Sequence, residues 1–277
     1  PMIGTILTAT DLSPRAGAAV QRALALKREH ACALVIAHII DRPTSSLDVE
    51  RRSRTAYKAI DGQLQELPPE EREDIAVKVT TGTPQWELGR LAHMHRSELV
   101  VLGRHEPRGG HDLLVGSTAE GLARDGNCSL LVVADNRPAA YRKAVLGIDM
   151  SIYARFAVSM VLRLAPQAEL VCVHALQGAA TEAAGQAAQA ALSEFMADTL
   201  GKLLPPDQQQ ATASRMELVV RTGEPHSVLS GIARERQADL LGVGMRGRPA
   251  SLRAGLGSTA QRLLNEPPCD VLAANAW

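Results

Sequence analysis

The sequence predicts two tandem α/β domains, each a doubly wound, five-stranded parallel sheet with the strand order 3-2-1-4-5. Short apolar runs alternate with helical patterns along the whole chain. This alternation occurs twice, in register, and a glycine-spaced loop follows the fourth apolar run of each copy. Because consecutive parallel strands need a crossover connection, strand–helix alternation predicts an open sheet with right-handed crossovers.

The internal repeat is visible at matching positions of the two copies. Asp11 ends the first apolar run of one copy and Asp149 ends that of the other. The offset is 138 residues at these aspartates (149 minus 11) and 141 at Gly116 and Gly257 (257 minus 116). Such self-similarity indicates a duplicated unit. The predicted domains are therefore 1–138 and 139–277, with a linker near 136–140.

The elements of the first copy follow from its apolar periodicity. Its strand runs are short and rich in Val, Leu and Ile, as expected for parallel strands that are covered on both faces. Pro84 suits the first turn of the third helix. The predicted strands lie near 5–10, 33–39, 74–80, 98–102 and 129–134. The predicted helices lie near 14–29, 46–66, 84–96 and 117–125.

The second copy repeats this order of elements. Pro225 takes the place of Pro84 at the start of the third helix. The predicted strands lie near 143–148, 168–174, 215–221, 238–243 and 269–273. The predicted helices lie near 152–164, 181–203, 225–236 and 258–265. Each copy is then about 140 residues long, an ordinary domain size.

Composition excludes several classes of function. The 277 residues carry 30 basic and 30 acidic side chains, so bulk charge favours neither nucleic acid nor an anionic membrane as a partner. Aromatic residues make up only 3% and leave few platforms for stacking bases. No apolar run is long enough to span a membrane, and no signal peptide is recognisable, so we expect a cytoplasmic protein. The four cysteines are widely spaced and indicate free thiols, with Cys128 and Cys269 buried.

The glycine-spaced loop of the second copy has the composition of a phosphate-binding loop. Gly244 and Gly247 are followed, after nine residues, by Gly257, Ser258 and Thr259. Glycines let backbone amides approach an anion closely, and a Ser-Thr pair that opens a helix adds hydroxyls and the positive end of the helix.

The first copy carries the same loop with one change. Gly103 is followed by Gly116, Ser117 and Thr118 at matching positions, but Glu106 replaces the second glycine. A carboxylate near a polyphosphate repels it by roughly 1 kcal/mol per charge pair in water. We therefore expect the first domain to bind nucleotide weakly or not at all.

The two signals of each domain converge on one crevice. In open α/β sheets a ligand lies beyond the carboxyl ends of the strands, where the strand order reverses. Strands 1 and 4 are neighbours in the order 3-2-1-4-5. The aspartate after strand 1 and the glycine loop after strand 4 should therefore flank the same crevice.

With an aspartate after the first strand and the pattern G-x2-G-x9-G-[ST] after the fourth, the sequence resembles the universal stress protein family, in a tandem form. The resemblance covers nearly the whole chain and implies a flavodoxin-like or adenine-nucleotide-hydrolase-like fold. It also implies association through the last strands, which the two halves could satisfy as an internal pseudo-dimer.

By that resemblance, the second domain would bind ATP. Asp149 would contact the adenosine end and the backbone around Ala175 would meet adenine. The ribose and phosphates would be held by Gly244, Gly247, Gly257, Ser258 and Thr259. The weaker counterparts in the first domain would be Asp11, Ile39, Gly103, Gly116, Ser117 and Thr118.

Other motifs give weaker signals. Residues 242–247 also satisfy G-x-G-x-x-G, but a dinucleotide fingerprint follows a first strand and opens directly into a helix. No P-loop pattern occurs in the sequence.

Histidines cluster at His93, His95, His105 and His111, but the spacing of the first two places them on different faces of a helix. We expect solvated histidines there, and we expect His38 and His174 to pack and hydrogen-bond at the crevice wall.

Together with the loop, the resemblance implies a stress-response protein whose second domain binds ATP, with Mg²⁺ on the phosphates, as a sensor or regulator with at most slow hydrolysis. The alternative is an interaction scaffold that holds a protein or a small apolar ligand without nucleotide. An enzyme related to adenine-nucleotide hydrolases is a third candidate. A homodimer and further protein partners are compatible with the sequence.

Overall fold

A computed structural model describes residues 3–104, 117–125, 128–134, 139–178, 181–247 and 256–275. The first of two compact units ends at Ala140 and the second begins at Tyr141. The exact limits of the predicted domains, 1–138 and 139–277, stay a prediction, as does the pairing of the halves.

The first unit is a parallel sheet in the order β3-β2-β1-β4-β5. Its strands are β1 (Thr5–Ala9), β2 (Ala33–Ile40), β3 (Ile75–Thr81), β4 (Leu99–Gly103) and β5 (Ser129–Val133). Its helices are α1 (Pro14–His30), α2 (Ser46–Gln65), α3 (Pro69–Arg72), α4 (Pro84–Met94) and α5 (Ser117–Asp125). This is the strand order 3-2-1-4-5, which confirms the fold class predicted for this half.

The second unit repeats the arrangement with its strands in the order β8-β7-β6-β9-β10. Its strands are β6 (Lys143–Gly147), β7 (Glu169–Leu176), β8 (Met216–Thr222), β9 (Leu240–Gly244) and β10 (Asp270–Ala274). Its helices are α6 (Ile152–Leu164), α7 (Glu182–Leu203), α8 (Pro206–Ala213), α9 (Pro225–Glu235) and α10 (Ser258–Asn265). Because β6 and β9 are neighbours, their carboxyl ends lie at the same edge of the sheet.

Two short helices, α3 and α8, were not among the predicted elements. Each begins at the second proline of a Pro-Pro pair, at Pro69 and at Pro206. Proline suits the first helical position because its ring presets φ and the missing N–H has no partner there. The repeated pairs at 68–69 and 205–206 were thus a signal for these helices.

The core of each unit consists of its central strands and the apolar faces of its helices. β5 and β10 are buried along their whole length, and so are the inner residues of β1, β4, β6 and β9. The short apolar runs predicted strands that are covered on both faces, and the burial of these six strands confirms that prediction for them. It is wrong for β3 and β8, which have no fully buried residue because each lies at the outer end of the strand order of its unit. No helix among the described ranges is both long and apolar enough to cross a membrane.

All four cysteines are free thiols, as predicted, and three of them are buried; Cys269 is half-buried rather than buried. Burial raises the pKa of Cys172 to about 12 and that of Cys128 to about 11. Burial, together with the carboxylates of Asp270 and Asp239, raises the pKa of Cys269 to about 12. Because the thiolate is the reactive form, these side chains are structural.

Candidate functional site

The predicted site of the second half begins at the turn between β6 and α6. Asp149 is exposed, and its Oδ1 accepts a hydrogen bond of 3.0 Å from the Ser151 amide. Met150 between them has the left-handed φ of 59°. The Ser151 hydroxyl then caps α6 by accepting a hydrogen bond of 3.2 Å from the Ala154 amide. The turn fixes one carboxylate oxygen and leaves Oδ2 beside the glycine loop.

The first half has the same turn between β1 and α1. Asp11 Oδ1 accepts from the Ser13 amide at 2.9 Å, and Leu12 has a φ of 67°. The Ser13 hydroxyl caps α1 by accepting from the Ala16 amide at 3.3 Å. A non-glycine residue in the left-handed region is uncommon. Its recurrence in both halves shows that the duplicated unit includes this turn.

The aspartate of the second half lies against the glycine loop. A Cβ placed on Gly247 would be 3.0 Å from Asp149 Oδ2, closer than nearly all real Cβ contacts. The Gly257 amide donates a hydrogen bond of 2.9 Å to the Met245 carbonyl, and a Cβ on Gly257 would lie 3.5 Å from the Gly247 amide nitrogen. The aspartate and both ends of the loop therefore meet at one place.

Gly244 has a different reason to be glycine. A Cβ there would lie 2.7 Å from Tyr153 Cβ and 2.8 Å from the Tyr153 carbonyl carbon. The backbone of β9 thus approaches the first turn of α6 directly. Gly244 allows this close packing, whereas Gly247 and Gly257 shape the loop itself.

Tyr153 is a residue of this region that the sequence analysis missed. The Arg246 guanidinium lies 5.8 Å from the centre of the Tyr153 ring, and Arg246 Nη1 donates to the Tyr153 hydroxyl at 3.3 Å. Such cation–π contacts are worth about 0.5–1 kcal/mol at exposed sites. Two facts of the sequence could have indicated Tyr153. The chain has only three tyrosines, and this one follows Asp149 by four residues.

Helix α10 begins at the far end of the loop. Its N-cap is Gly257, which has no side chain with which to cap the first amides. Ser258 is exposed and Thr259 is half-buried. The first amides of a helix lack internal partners and carry the positive end of its dipole. This end of α10 can therefore accept an anion.

The strand β7 reaches two residues further than predicted, and Ala175 therefore lies inside it, paired with Arg221 of β8. The pairing of β6 with β7 ends at Gly147 and Val173, and the Ile148 amide then donates to the Val173 carbonyl at 2.8 Å. Residues two apart in a strand present their peptide groups to the same side. The peptide groups of Ala175 thus face the space beyond the end of β6.

The same relationship holds in the first half. The pairing of β1 with β2 ends at Ala9 and Ala37, and the Thr10 amide donates to the Ala37 carbonyl at 2.9 Å. Ile39, two residues further along β2, corresponds to Ala175 and is paired with Thr80 of β3. Its peptide groups face the space beyond the end of β1.

As predicted, a histidine in each half hydrogen-bonds to the backbone next to the aspartate turn. His174 Nδ1 donates to the Ile148 carbonyl at 2.7 Å, and His38 Nδ1 donates to the Thr10 carbonyl at 2.9 Å. A carbonyl only accepts, so the proton of each neutral ring lies on Nδ1. Each bond ties the second strand of its half to the residue that precedes the aspartate.

The phosphate-loop counterpart of the first half is only partly described. Gly103 ends β4 and is half-buried, Ser117 begins α5, and Thr118 is half-buried. Gly116 and Glu106 lie outside the described residues. The predicted asymmetry between the two loops stays a prediction.

No group of three or more His, Cys, Asp or Glu side chains that could hold a metal ion occurs among the residues that the structure describes. Of the histidine cluster, His93 is exposed on α4 and His95 follows its end. His105 and His111 fall outside the described ranges.

Two doubly wound α/β units in tandem, each with an aspartate turn at the end of its first strand, define an open-sheet α/β protein, a class in which ligands generally bind beyond the carboxyl edge of the sheet. The universal stress protein family model matches residues 2–134 and again residues 140–275. The chain therefore belongs to the universal stress protein family and carries its domain twice.

Solved structures share the fold of the chain, and a curated relative carries the family's name. A universal stress protein from Archaeoglobus fulgidus DSM 4304 covers 99% of this chain and 98% of its own, with a TM-score of 0.74 at 17% identity. A protein of unknown function from Pseudomonas aeruginosa PAO1 covers 99% and 93%, with a TM-score of 0.71 at 17% identity. A universal stress protein of Staphylococcus aureus strain USA300 is 27% identical over 149 residues, which is 50% of this chain and 90% of the relative.

Proposed function

We propose that the second domain binds ATP as a sensor or regulatory ligand. The observation that carries the proposal is the contact between the aspartate turn and the glycine loop, where Asp149 Oδ2 lies 3.0 Å from the Cβ position of Gly247. Nucleotide crevices of open α/β sheets lie at this edge. Members of the family that have been solved include one in complex with cAMP.

Charge fixes the orientation of the nucleotide in this proposal. The Asp149 carboxylate repels phosphates and accepts hydrogen bonds, so it suits the ribose hydroxyls. The phosphates then extend towards the first-turn amides of α10, with Ser258 and Thr259 as hydroxyl donors. The peptide groups of Ala175 are left to meet the edge of adenine. Mg²⁺, which prefers oxygen ligands, would be held by the phosphate oxygens themselves.

The role is regulatory rather than rapidly catalytic. The loop offers amides and hydroxyls to phosphates. His174, the histidine described in this region, donates its Nδ1 proton to the Ile148 carbonyl. The described residues of this region place no base or nucleophile beside the loop, and we expect hydrolysis to be slow. ATP binding would instead set a conformational state for a partner to recognise.

Isothermal titration with Mg·ATP tests the proposal. We expect one site in the wild-type chain and none in the variant Gly247→Glu, which places a carboxylate on the loop as Glu106 does in the first half. The reciprocal variant Glu106→Gly should gain a second, weaker site. Unchanged ATP binding in Gly247→Glu would remove the second loop from the proposal.

The scaffold alternative makes the opposite prediction for the purified protein. If the second domain binds ATP, adenine nucleotide should be released on denaturation, or added ATP should raise the melting temperature by mass action. Absence of both would favour a scaffold that holds a protein or an apolar ligand.

A further inference from the structure

The pair of Arg246 and Tyr153 joins the glycine loop of the second half to helix α6. The Arg246 guanidinium lies 5.8 Å from the centre of the Tyr153 ring, and its Nη1 donates to the Tyr153 hydroxyl at 3.3 Å. An aromatic ring and a neutral hydroxyl bring no negative charge to the guanidinium. These two contacts therefore hold the position of the guanidinium without neutralising its charge.

The Tyr153 ring is itself fixed by its surroundings. Tyr153 is half-buried, and its ring meets that of Phe156 edge to face, with the ring centres 6.1 Å apart and the ring planes at 73°. The end of β9 packs against it, because a Cβ on Gly244 would lie 2.7 Å from Tyr153 Cβ. Contact with a fixed ring restricts the long Arg246 side chain before any ligand arrives, which lowers the entropy cost when that side chain binds an anion.

The backbone of Arg246 lies next to the start of α10. A Cβ on Gly257, the N-cap of α10, would be 3.6 Å from the Arg246 Cα. The next residue, Gly247, faces the Asp149 carboxylate. Arg246 thus belongs to the loop segment that meets both the carboxylate, which repels phosphates, and the helix end, which attracts them. A guanidinium suits this segment because its planar donors match the oxygens of a phosphate.

The pair does not occur in the first half. Arg15 has the position of Tyr153 (153 minus 138), and His105 has the position of Arg246 (246 minus 141). That half also carries Glu106 in its loop. Its sheet and its aspartate turn form without the pair, so the fold does not require it. The pair accompanies the intact loop, as expected of residues that act on a ligand of that loop.

We propose, in an inference that rests on the proposed function, that Arg246 makes the second-half crevice prefer nucleoside triphosphates to monophosphates, and that Tyr153 positions it. The first-turn amides of α10 attract a phosphate of either nucleotide. The attraction of a guanidinium grows with the charge of the phosphate chain, which is larger in ATP than in AMP. The site then responds to the ratio of ATP to AMP rather than to total adenine nucleotide, and this ratio is the signal that the domain senses.

Calorimetric titration of the full chain with ATP and with AMP, each with Mg²⁺, tests the role of Arg246. The wild type should bind ATP at least about tenfold more tightly than AMP, and Arg246→Gln should lose about tenfold in affinity for ATP but no more than about twofold for AMP. The control Arg262→Gln removes another positive charge of the same half, one that contacts the Glu224 carboxylate, and should keep the wild-type preference. An unchanged preference in Arg246→Gln would overturn the inference.

Two variants of Tyr153 separate positioning from packing. Tyr153→Leu keeps the Cβ that packs on Gly244 but loses the ring, so ATP affinity should fall by about threefold while AMP affinity stays unchanged. Tyr153→Phe keeps the ring and should retain most of the preference. Equal weakening of ATP and AMP in Tyr153→Leu would refute the positioning role. A wild type that binds ATP without preference over AMP would overturn this inference alone, whereas a wild type that binds no ATP would overturn the proposed function with it.

Discussion

The α-carbon of Gly244 lies so close to Tyr153 that a Cβ on the glycine would stand 2.8 Å from the carbonyl carbon of the tyrosine. This contact joins the end of β9 to the first turn of α6. It therefore sets the distance between the strand that precedes the glycine loop and the helix that follows the aspartate turn.

Gly244→Ala should destabilise the second half. Its Cβ would meet backbone atoms that cannot rotate away, and overpacking of this kind costs about 1–3 kcal/mol of unfolding free energy. Gly231→Ala is the matched control, because Gly231 is exposed on α9 and a Cβ there would meet nothing within 4 Å. That control should raise stability by about 0.5–1 kcal/mol. Chemical denaturation of both variants checks the contrast, and equal midpoints would contradict it.

Asp149→Asn should weaken ATP binding about tenfold or more without disturbing the turn. Asparagine Oδ1 can still accept from the Ser151 amide. A hydrogen bond to a charged group contributes about 1.5–3 kcal/mol, whereas one between neutral groups contributes about 0.5–1.5 kcal/mol, so loss of the charge weakens the bonds to the ribose hydroxyls. Titration calorimetry measures the loss. The matched variant Asp11→Asn in the first half should leave the affinity unchanged, and an equal loss in both variants would place the site elsewhere.

His174→Ala should lower the free energy of unfolding by about 1–3 kcal/mol, because the Ile148 carbonyl loses the imidazole N–H that satisfies it. His174→Asn should recover part of that loss, since the asparagine amide can donate from nearly the position of Nδ1. Denaturation of the pair in parallel is the measurement. If the asparagine and alanine variants are equally destabilised, then packing of the His174 ring, and not its hydrogen bond, stabilises this part of the second half.

Stability should decline at alkaline pH because of the buried thiols. The pKa of the Cys172 thiol is raised from 9.0 to about 12 by burial, so the folded chain keeps this proton while the unfolded chain loses it. Between these two values the unfolded state binds fewer protons, and the free energy of unfolding falls as pH rises, by at most about 1.4 kcal/mol per pH unit for one thiol. Denaturation curves from pH 8 to 11 should show a shallower decline in Cys172→Ala. An identical slope would exclude Cys172 as its source.

The sequence predicted the sheets well because their strands are short apolar runs rich in Val, Leu and Ile. It predicted the meeting of Asp149 with the glycine loop because strand order alone brings the ends of β6 and β9 together. The contact between Gly244 and Tyr153 could not be predicted, since it depends on how closely α6 packs on β9. The left-handed residues Leu12 and Met150 were likewise invisible, because neither is a glycine or an asparagine.

The bounds of elements were less predictable where the tertiary structure extends or adds a segment. β7 continues to Leu176 because β8 pairs with it beyond the end of β6. The short helices α3 and α8 have too few residues for a helical period to be visible. Only their prolines indicated where they begin.

The aspartate turn has one more consequence, for how duplicated domains diverge. Asp11 already closes the turn that starts α1, through its bond to the Ser13 amide. Selection for a folded first half would therefore preserve this carboxylate even after the neighbouring loop had ceased to hold any ligand. In tandem chains of this kind, an intact aspartate indicates that the helix after it still begins there. Only the loop glycines then indicate whether the domain still binds a ligand.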